Sequence, residues 1–141
     1  MPELIYLACP YSSEFPIVKD GRYDIVTRVA AALVIETACE VFSPITHSHL
    51  INRYATEYAK RKNDKSLIDD EPIVHWRPTY DFWLTFDYHM LDIADWLYIL
   101  KLQGWAGSTG VAKEITRFSQ RRGMQNRIKH IKPEDYLKGY S

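Results

Sequence analysis

The chain has 141 residues, a length that fits one domain with a core of its own. Its 18 Lys and Arg balance its 18 Asp and Glu, which argues against a broad surface for polymeric nucleic acid. No apolar stretch approaches the roughly 20 residues of a membrane span, and the N-terminal residues lack the pattern of a signal peptide. We therefore predict a cytoplasmic protein that does not bind membranes, in which Cys9 and Cys39 stay reduced.

The hydrophobic pattern along the chain predicts alternating strands and helices. Short apolar runs closed by proline or polar residues are typical of strands buried on both faces. Apolar residues spaced three or four apart, such as Val26, Val29 and Leu33, predict helices, and Thr79 and Gly123 are suited to begin one helix and end another. The predicted elements are a strand at 4–9, a helix at 20–38, a strand at 40–44, a helix at 47–61, a mobile polar loop at 61–70, a helix at 79–93, a strand at 95–102, a helix at 108–122, a strand at 127–131 and a helical turn at 133–137.

This alternation predicts one three-layer α/β domain over residues 1–141, with a flavodoxin-like or Rossmann-like parallel sheet and helices on both faces. We expect right-handed crossovers and the strand order 2-1-3-4. Ligands of such sheets bind at the carboxyl ends of the strands. The loops at 9–13, 43–49 and 104–110 should therefore share one binding rim.

A segment of small residues, from Gly107 to Gly110, follows the third predicted strand and leads into a helix that carries Glu114. Glycines let a ligand approach the backbone, and the amino end of a helix favours an anion. Glu114 above such a pocket is a candidate nucleophile or base. A plain strand-turn-helix connection with a solvated glutamate fits this segment equally well.

A second acid, Asp87, shares a helix face with apolar residues that include Trp83, Leu84 and Leu91. A carboxyl group on an apolar stripe must be paired, hydrogen-bonded or functional. One interpretation is a buried partner for a backbone amide or an arginine. The other is a proton donor beside Glu114, with its pKa raised by apolar neighbours so that the pKa values of the two acids are separated.

Five further residues have a structural and a functional interpretation. Tyr6 lies in the first strand, either as a core residue or with its hydroxyl near the rim. Cys9 has no basic partner nearby and fits a small buried residue, and Asp95 fits a structural cap. His47 and His49 have no third ligand at matching spacing, so hydrogen bonding is favoured over metal. We predict no metal and no cofactor, because nucleotide-binding glycine motifs are also missing.

Several short motifs, taken in their order, resemble the nucleoside 2-deoxyribosyltransferase-like superfamily. The spacings from Asp87 to Asp95 and from Ser108 to Glu114 are similar to those of its 2′-deoxynucleoside 5′-phosphate N-hydrolases. The whole chain looks most like the DUF1937 group of that superfamily, although the middle of the chain does not align. The matching residues are the run IYLACP at 5–10, Asp87, Ala94, Asp95, Ser108, Gly110 and Glu114.

The resemblance implies a role for each matching side chain. Glu114 would be the nucleophile at the anomeric carbon, Asp87 would assist protonation of the base, and Tyr6 would orient the glutamate. The serine and glycine would bind near the sugar or its 5′-phosphate. Together with the rim loops, this makes the expected substrate contacts Cys9, Pro10, His47, Ser108 and Gly110.

Two classes of function therefore remain open for this chain. The first is an enzyme that cleaves or transfers the N-glycosidic bond of a small-molecule nucleoside or nucleotide. The alternative is a non-catalytic nucleotide-binding module, or an oligomeric structural protein, on the same fold. Residues 53–80 form an apparent insertion rich in aromatic residues. We expect a homo-oligomer, in which this insertion is buried at an interface or closes over a site. Convergence of the two acids in one cleft would favour the enzyme.

Overall fold

The computed structural model describes residues 2–63 and 79–139 of the chain. Within these ranges, four strands form one parallel sheet, in which the first strand lies between the second and the third and the fourth is at the far edge. The predicted α/β class and the strand order 2-1-3-4 are therefore confirmed. The strands are β1 (Leu4–Ala8), β2 (Glu40–Phe42), β3 (Trp96–Leu100) and β4 (Ile128–Ile131).

Four α-helices connect the strands in the described ranges. Thr79 caps its helix by accepting a hydrogen bond from the Phe82 amide, as the sequence predicted. A helix after β1 begins with Pro16 in its first turn, where proline's missing N–H costs nothing. The helices are α1 (Pro16–Thr37), α2 (Pro44–Asn63), α3 (Tyr80–Ile93) and α4 (Thr109–Ser119), and short 3-10 turns lie at Trp105–Gly107, Gln125–Arg127 and Pro133–Asp135.

Side chains of β1 alternate between two hydrophobic cores because successive residues of a strand point to opposite faces. Ile5 and Leu7 pack on one face against the buried stripe of α1. Tyr6 and Ala8 point to the other face, where α3 and α4 cover the sheet. Any side chain that reaches Tyr6 must therefore come from those two helices or from the strands beside β1.

The helix boundaries differ from the predicted ones by two or more residues in four places, one of which is the start of α2 at Pro44, three residues before the predicted start. Helix α1 begins four residues before the predicted start, and α2 includes residues 61–63, which the sequence assigned to a polar loop. Helix α4 ends at Ser119 because its final turn tightens, with the Gln120 amide donating to the carbonyls of Thr116 and Phe118, and Gly123 adopts its left-handed φ of 78° only after that turn. Residues 64–70, and most of the apparent insertion, lie outside the described residues.

Candidate functional site

A cavity of about 660 Å³ opens beyond the carboxyl ends of β1 and β3. Its walls come from the loop after β1, the first turns of α2, one face of α3 and the amino end of α4. This is the edge at which parallel sheets bind ligands. Six of the residues proposed from the sequence line it, namely Cys9, Pro10, Asp87, Ser108, Gly110 and Glu114.

Glu114 reaches this cavity from the buried stripe of α4. Val111 and Phe118, three residues before it and four after it, are both buried in the core. Its carboxyl group thus lies over the sheet, where the Tyr6 hydroxyl donates a hydrogen bond to Oε2. Tyr6 is fully buried and lies below the lining of the cavity, so it can hold the glutamate without being a wall itself.

Burial determines the protonation of this pair. It raises the pKa of Glu114 to about 7, to which the nearby charge of Asp87 contributes, while the hydrogen bond from Tyr6 acts in the opposite direction. Burial, and then the negative charge of Glu114, raise the pKa of the Tyr6 hydroxyl well above its ordinary value. Tyr6 therefore remains a hydrogen-bond donor at physiological pH.

Asp87 faces the same cavity from α3. Its Oδ1 atom is buried and has no hydrogen-bond partner among the described residues. This desolvation raises the pKa of Asp87 to about 7. The sequence predicted a raised pKa for Asp87 alone, whereas the pKa of the half-buried Glu114 is raised to about 7 as well, mainly by desolvation.

The amino end of α4 forms the opposite part of the cavity wall. Ser108 caps the helix, since its hydroxyl accepts a hydrogen bond from the Val111 amide. Gly104 adopts a φ of 90°, a left-handed conformation that favours glycine, and it starts the turn leading to Ser108. The backbone of residues 107–110 lies along the cavity without bulky side chains in front of it.

Cys9 lines the cavity but is chemically quiet. Burial raises the pKa of its thiol, so the group stays protonated and is a poor nucleophile. Cys9 and Cys39 are both free. The sequence interpretation of Cys9 as a small buried residue agrees with this position.

The two histidines after β2 occupy different places. His47, proposed as a substrate contact, is absent from the described lining of the cavity, and its exposed ring stacks on Phe86 with centroids 4.9 Å apart. Helix α2 begins at Pro44, so both histidines are helical. Residues two apart on a helix do not face each other, and the two side chains therefore have different neighbours. His49 is buried and hydrogen-bonds to Tyr11 and Asp20.

Two cations and several aromatic rings of the cavity were not proposed from the sequence. Arg22 lies in the second turn of α1, four residues before Val26 and therefore on the buried stripe, at the end of the helix nearest the rim. This position on the buried stripe is the sequence feature that could have identified Arg22 as a site residue. Lys113 precedes Glu114 and also lines the cavity. The aromatic rings of the lining are those of Tyr11, Tyr80 and Trp83.

Neither a metal centre nor a membrane span is present in the described part of the chain. No group of three or more His, Cys, Asp or Glu side chains within residues 2–63 and 79–139 could hold a metal ion. No helix in these ranges is both long enough and apolar enough to cross a bilayer.

Comparison with known proteins places the chain in a family. A search of the curated proteins gave no match. The family described as "Domain of unknown function (DUF1937)" matches residues 3–129, which include all the strands except the last two residues of β4, and every acid and loop of the site. The chain therefore belongs to the DUF1937 family.

Proposed function

We propose that the protein cleaves or transfers the N-glycosidic bond of a nucleoside or nucleotide, with Glu114 as the nucleophile. The observation that carries the proposal is the pair of half-buried acids on one cavity, of which Glu114 is held by a tyrosine and Asp87 has a buried oxygen without a partner among the described residues. Unpaired buried carboxyl groups are costly and cluster at sites of proton transfer.

In the first step, Glu114 forms a bond to the anomeric carbon of the sugar. Tyr6 occupies Oε2, which leaves Oε1 to attack. The bond from that carbon to the base nitrogen breaks, the electron pair goes to the base, and Asp87 gives its proton to the base. Attack requires ionised Glu114 and protonated Asp87, a combination that the shared pKa of about 7 makes available at neutral pH.

In the second step, the glycosyl ester on Glu114 is resolved. Asp87, now a carboxylate, takes a proton from a water molecule or from an incoming base. The resulting nucleophile bonds to the anomeric carbon and releases Glu114 as a carboxylate. Water gives net hydrolysis, and a second base gives net transfer of the sugar.

The lining of the cavity suits a nucleotide. Tyr11, Tyr80 and Trp83 offer flat apolar surfaces for a base. Arg22 and Lys113, together with the amino end of α4, supply positive potential for an anionic group of the substrate. We propose a small-molecule substrate rather than a nucleic acid polymer, and no cofactor.

The test is a screen for base release from nucleosides and nucleotides with each common base, as ribose and 2′-deoxyribose forms. We expect turnover with at least one of them, and a covalent adduct at Glu114 with a 2-fluoro-2-deoxynucleoside analogue of that substrate, detected by mass spectrometry. Glu114→Ala should lower the rate by roughly 10³-fold or more and abolish the adduct.

Glu36→Ala is the matched control, since Glu36 is an exposed glutamate of α1. It should leave rate and adduct unchanged. Full activity in Glu114→Ala would show that the nucleophile assignment is wrong. Binding of a nucleotide with no turnover in any wild-type assay would favour a binding module instead.

The setting of the enzyme is also part of the proposal. We propose a cytoplasmic homo-oligomer, because both cysteines are free thiols and because α2 and α3 expose large apolar side chains. Among these side chains, Tyr54 and Ile93 are more than half exposed.

A further inference from the structure

Tyr11 is a wall of the cavity that lies outside the strands and helices and packs against the core beside α1. It lies in the loop between β1 and α1, and its side chain is half-buried. Its hydroxyl is 2.6 Å from His49 Nδ1, and the ammonium of Lys19 lies 5.4 Å from its ring centroid. The position of this wall therefore depends on side-chain contacts with α1 and α2.

His49 is built into the protein as a buried polar link. Its side chain is 6% exposed, and Tyr23 stacks on its ring at 4.5 Å between centroids. Both ring nitrogens have partners, because Nε2 lies 2.9 Å from Asp20 Oδ1 while Nδ1 faces Tyr11. The proposed chemical steps use neither His49 nor Asp20, so their arrangement behind Tyr11 calls for another role.

The partners of His49 indicate which ring nitrogen donates a hydrogen bond and which accepts one. The Asp20 carboxylate can only accept, so Nε2 carries hydrogen and donates to it. Nδ1 is then bare and accepts from the Tyr11 hydroxyl. Arg53 donates to the same Asp20 oxygen and also lies 3.4 Å from Nε2, a contact that would need a bare Nε2 because arginine can only donate. The shorter contact, 2.9 Å from Nε2 to the carboxylate, favours hydrogen on Nε2.

We propose that Tyr11, His49 and Asp20 form a positioning chain that fixes the Tyr11 ring as a wall of the substrate cavity and thereby governs substrate affinity. Tyr11 touches the substrate, whereas His49 and Asp20 act through it. The effect on affinity rests on the proposed function, but the state of His49 does not. The two can therefore be tested separately.

The first experiment measures His49 without any ligand, by ¹⁵N NMR of the imidazole nitrogens. We expect the tautomer with hydrogen on Nε2, and a shift of the Nδ1 resonance in Tyr11→Phe, which removes only the hydroxyl. Tyr23→Phe is the control, since it keeps the stacked ring, and it should leave Nδ1 unchanged. Hydrogen on Nδ1, or an unchanged Nδ1 resonance in Tyr11→Phe, would show that the proposed positioning chain is wrong.

The second experiment measures KM and kcat with the best substrate from the base-release screen. Loss of one buried hydrogen bond should raise KM about tenfold in Tyr11→Phe and in His49→Leu, with kcat within about threefold of wild type. His49→Gln keeps one donor and one acceptor and should restore most of the affinity. The double variant Tyr11→Phe/His49→Leu should resemble the singles, because both break the same link.

Some outcomes separate the positioning chain from the proposed function. If no nucleoside or nucleotide is turned over, the proposed function fails. The NMR result still decides whether the hydrogen bonds of the positioning chain exist. If turnover occurs and the two single variants leave KM unchanged, or add in the double variant, the positioning role is wrong. Tyr11→Phe alters a single oxygen atom, so this arm holds even if His49→Leu does not fold.

Discussion

In the proposed mechanism, Asp87 and Glu114 perform opposite proton tasks in one environment. Both are desolvated, and burial raises both pKa values to about 7. Two acids that share a site lose their protons in two steps that belong to the pair. The singly protonated pair is the form that can attack and donate at once, and it should be most populated near neutral pH.

This protonation state predicts a bell-shaped dependence of rate on pH, with a maximum near 7. Activity falls in acid as Glu114 is protonated and falls in alkali as Asp87 is ionised. Asp87→Asn should lower the rate by about 10²-fold or more, least for bases that leave without protonation, and should remove the alkaline fall. The acid limb should stay, because asparagine mimics a protonated aspartate.

The control for this profile is Asp92→Asn on the same helix. Asp92 is exposed and bonds to Arg117 through both carboxylate oxygens. It should keep both limbs of the profile. An alkaline fall that persists in Asp87→Asn would assign it to another group.

The desolvation of Glu114 also has a cost in stability. Its folded pKa is raised to about 7, whereas the unfolded chain has the ordinary value near 4.5. The folded state therefore holds the proton more tightly, and the free energy of unfolding falls as pH rises from about 4.5 to about 7. Glu114→Gln cannot ionise, and its amide oxygen can still accept from Tyr6.

We predict that Glu114→Gln unfolds at a higher urea concentration than wild type at pH 8. Its free energy of unfolding should be larger by up to about 3 kcal/mol. The difference should vanish at about pH 3, well below the unfolded pKa, where wild-type Glu114 is protonated in both states. Equal stabilities at pH 8 would mean that the glutamate is not desolvated. Glu36→Gln, on the exposed side of α1, should show no such pH dependence.

At the scale of elements, the end of α3 is held by a residue from beyond α4. The last turn of α3 contains no basic residue, yet the Arg121 guanidinium donates to the carbonyls of Leu91 and Ala94 at 3.0 and 2.7 Å. Carbonyls at a helix end have no partner within the helix, and a cation there also interacts favourably with the negative end of the helix dipole. Arg121 thereby anchors the helix that carries Asp87.

Replacing this anchor should destabilise the fold. Arg121→Met keeps much of the apolar stem and removes the donors, so the free energy of unfolding should fall by about 1–3 kcal/mol in urea denaturation. Arg122→Met changes the exposed neighbour and should have little effect. Equal losses in the two variants would mean that charge in general, rather than the anchor, stabilises this region.

The elements differ in how far the sequence could predict them. Thr79 has the chemistry of a cap, so the start of α3 was predictable. The start of α1 was missed because Phe15, the residue before it, makes no side-chain cap, and only Pro16 signals the first turn. The strands were predictable because short, almost wholly apolar runs are typical of strands that are covered by helices on both faces.

At the scale of the molecule, the sequence predicted residues that point into the cavity from regular elements. Glu114 and Asp87 interrupt apolar helical stripes, which is a pattern visible in one dimension. The place of Arg22 on the buried stripe of α1 was visible in the sequence, but its partners depend on how separate elements approach each other, as does the link from Tyr11 to His49. Arg22 donates to the carbonyls of Ser12 and Gln103, which are far apart in the chain, and no local pattern encodes such a contact.

The last prediction concerns assembly. Tyr54 on α2 is 60% exposed and Ile93 on α3 is 54% exposed, and exposed apolar side chains on neighbouring helices are typical of an interface. We expect light scattering to give the mass of a homo-oligomer.

Tyr54→Glu should lower that mass toward the 16.5 kDa of one chain, because a charge cannot be buried without a partner. Ala31→Glu is the control, since it adds the same charge at an exposed position of α1 that carries no large apolar side chain, and it should leave the mass unchanged. A wild-type mass of 16.5 kDa at micromolar concentration would show that the protein is a monomer and that these side chains have another role.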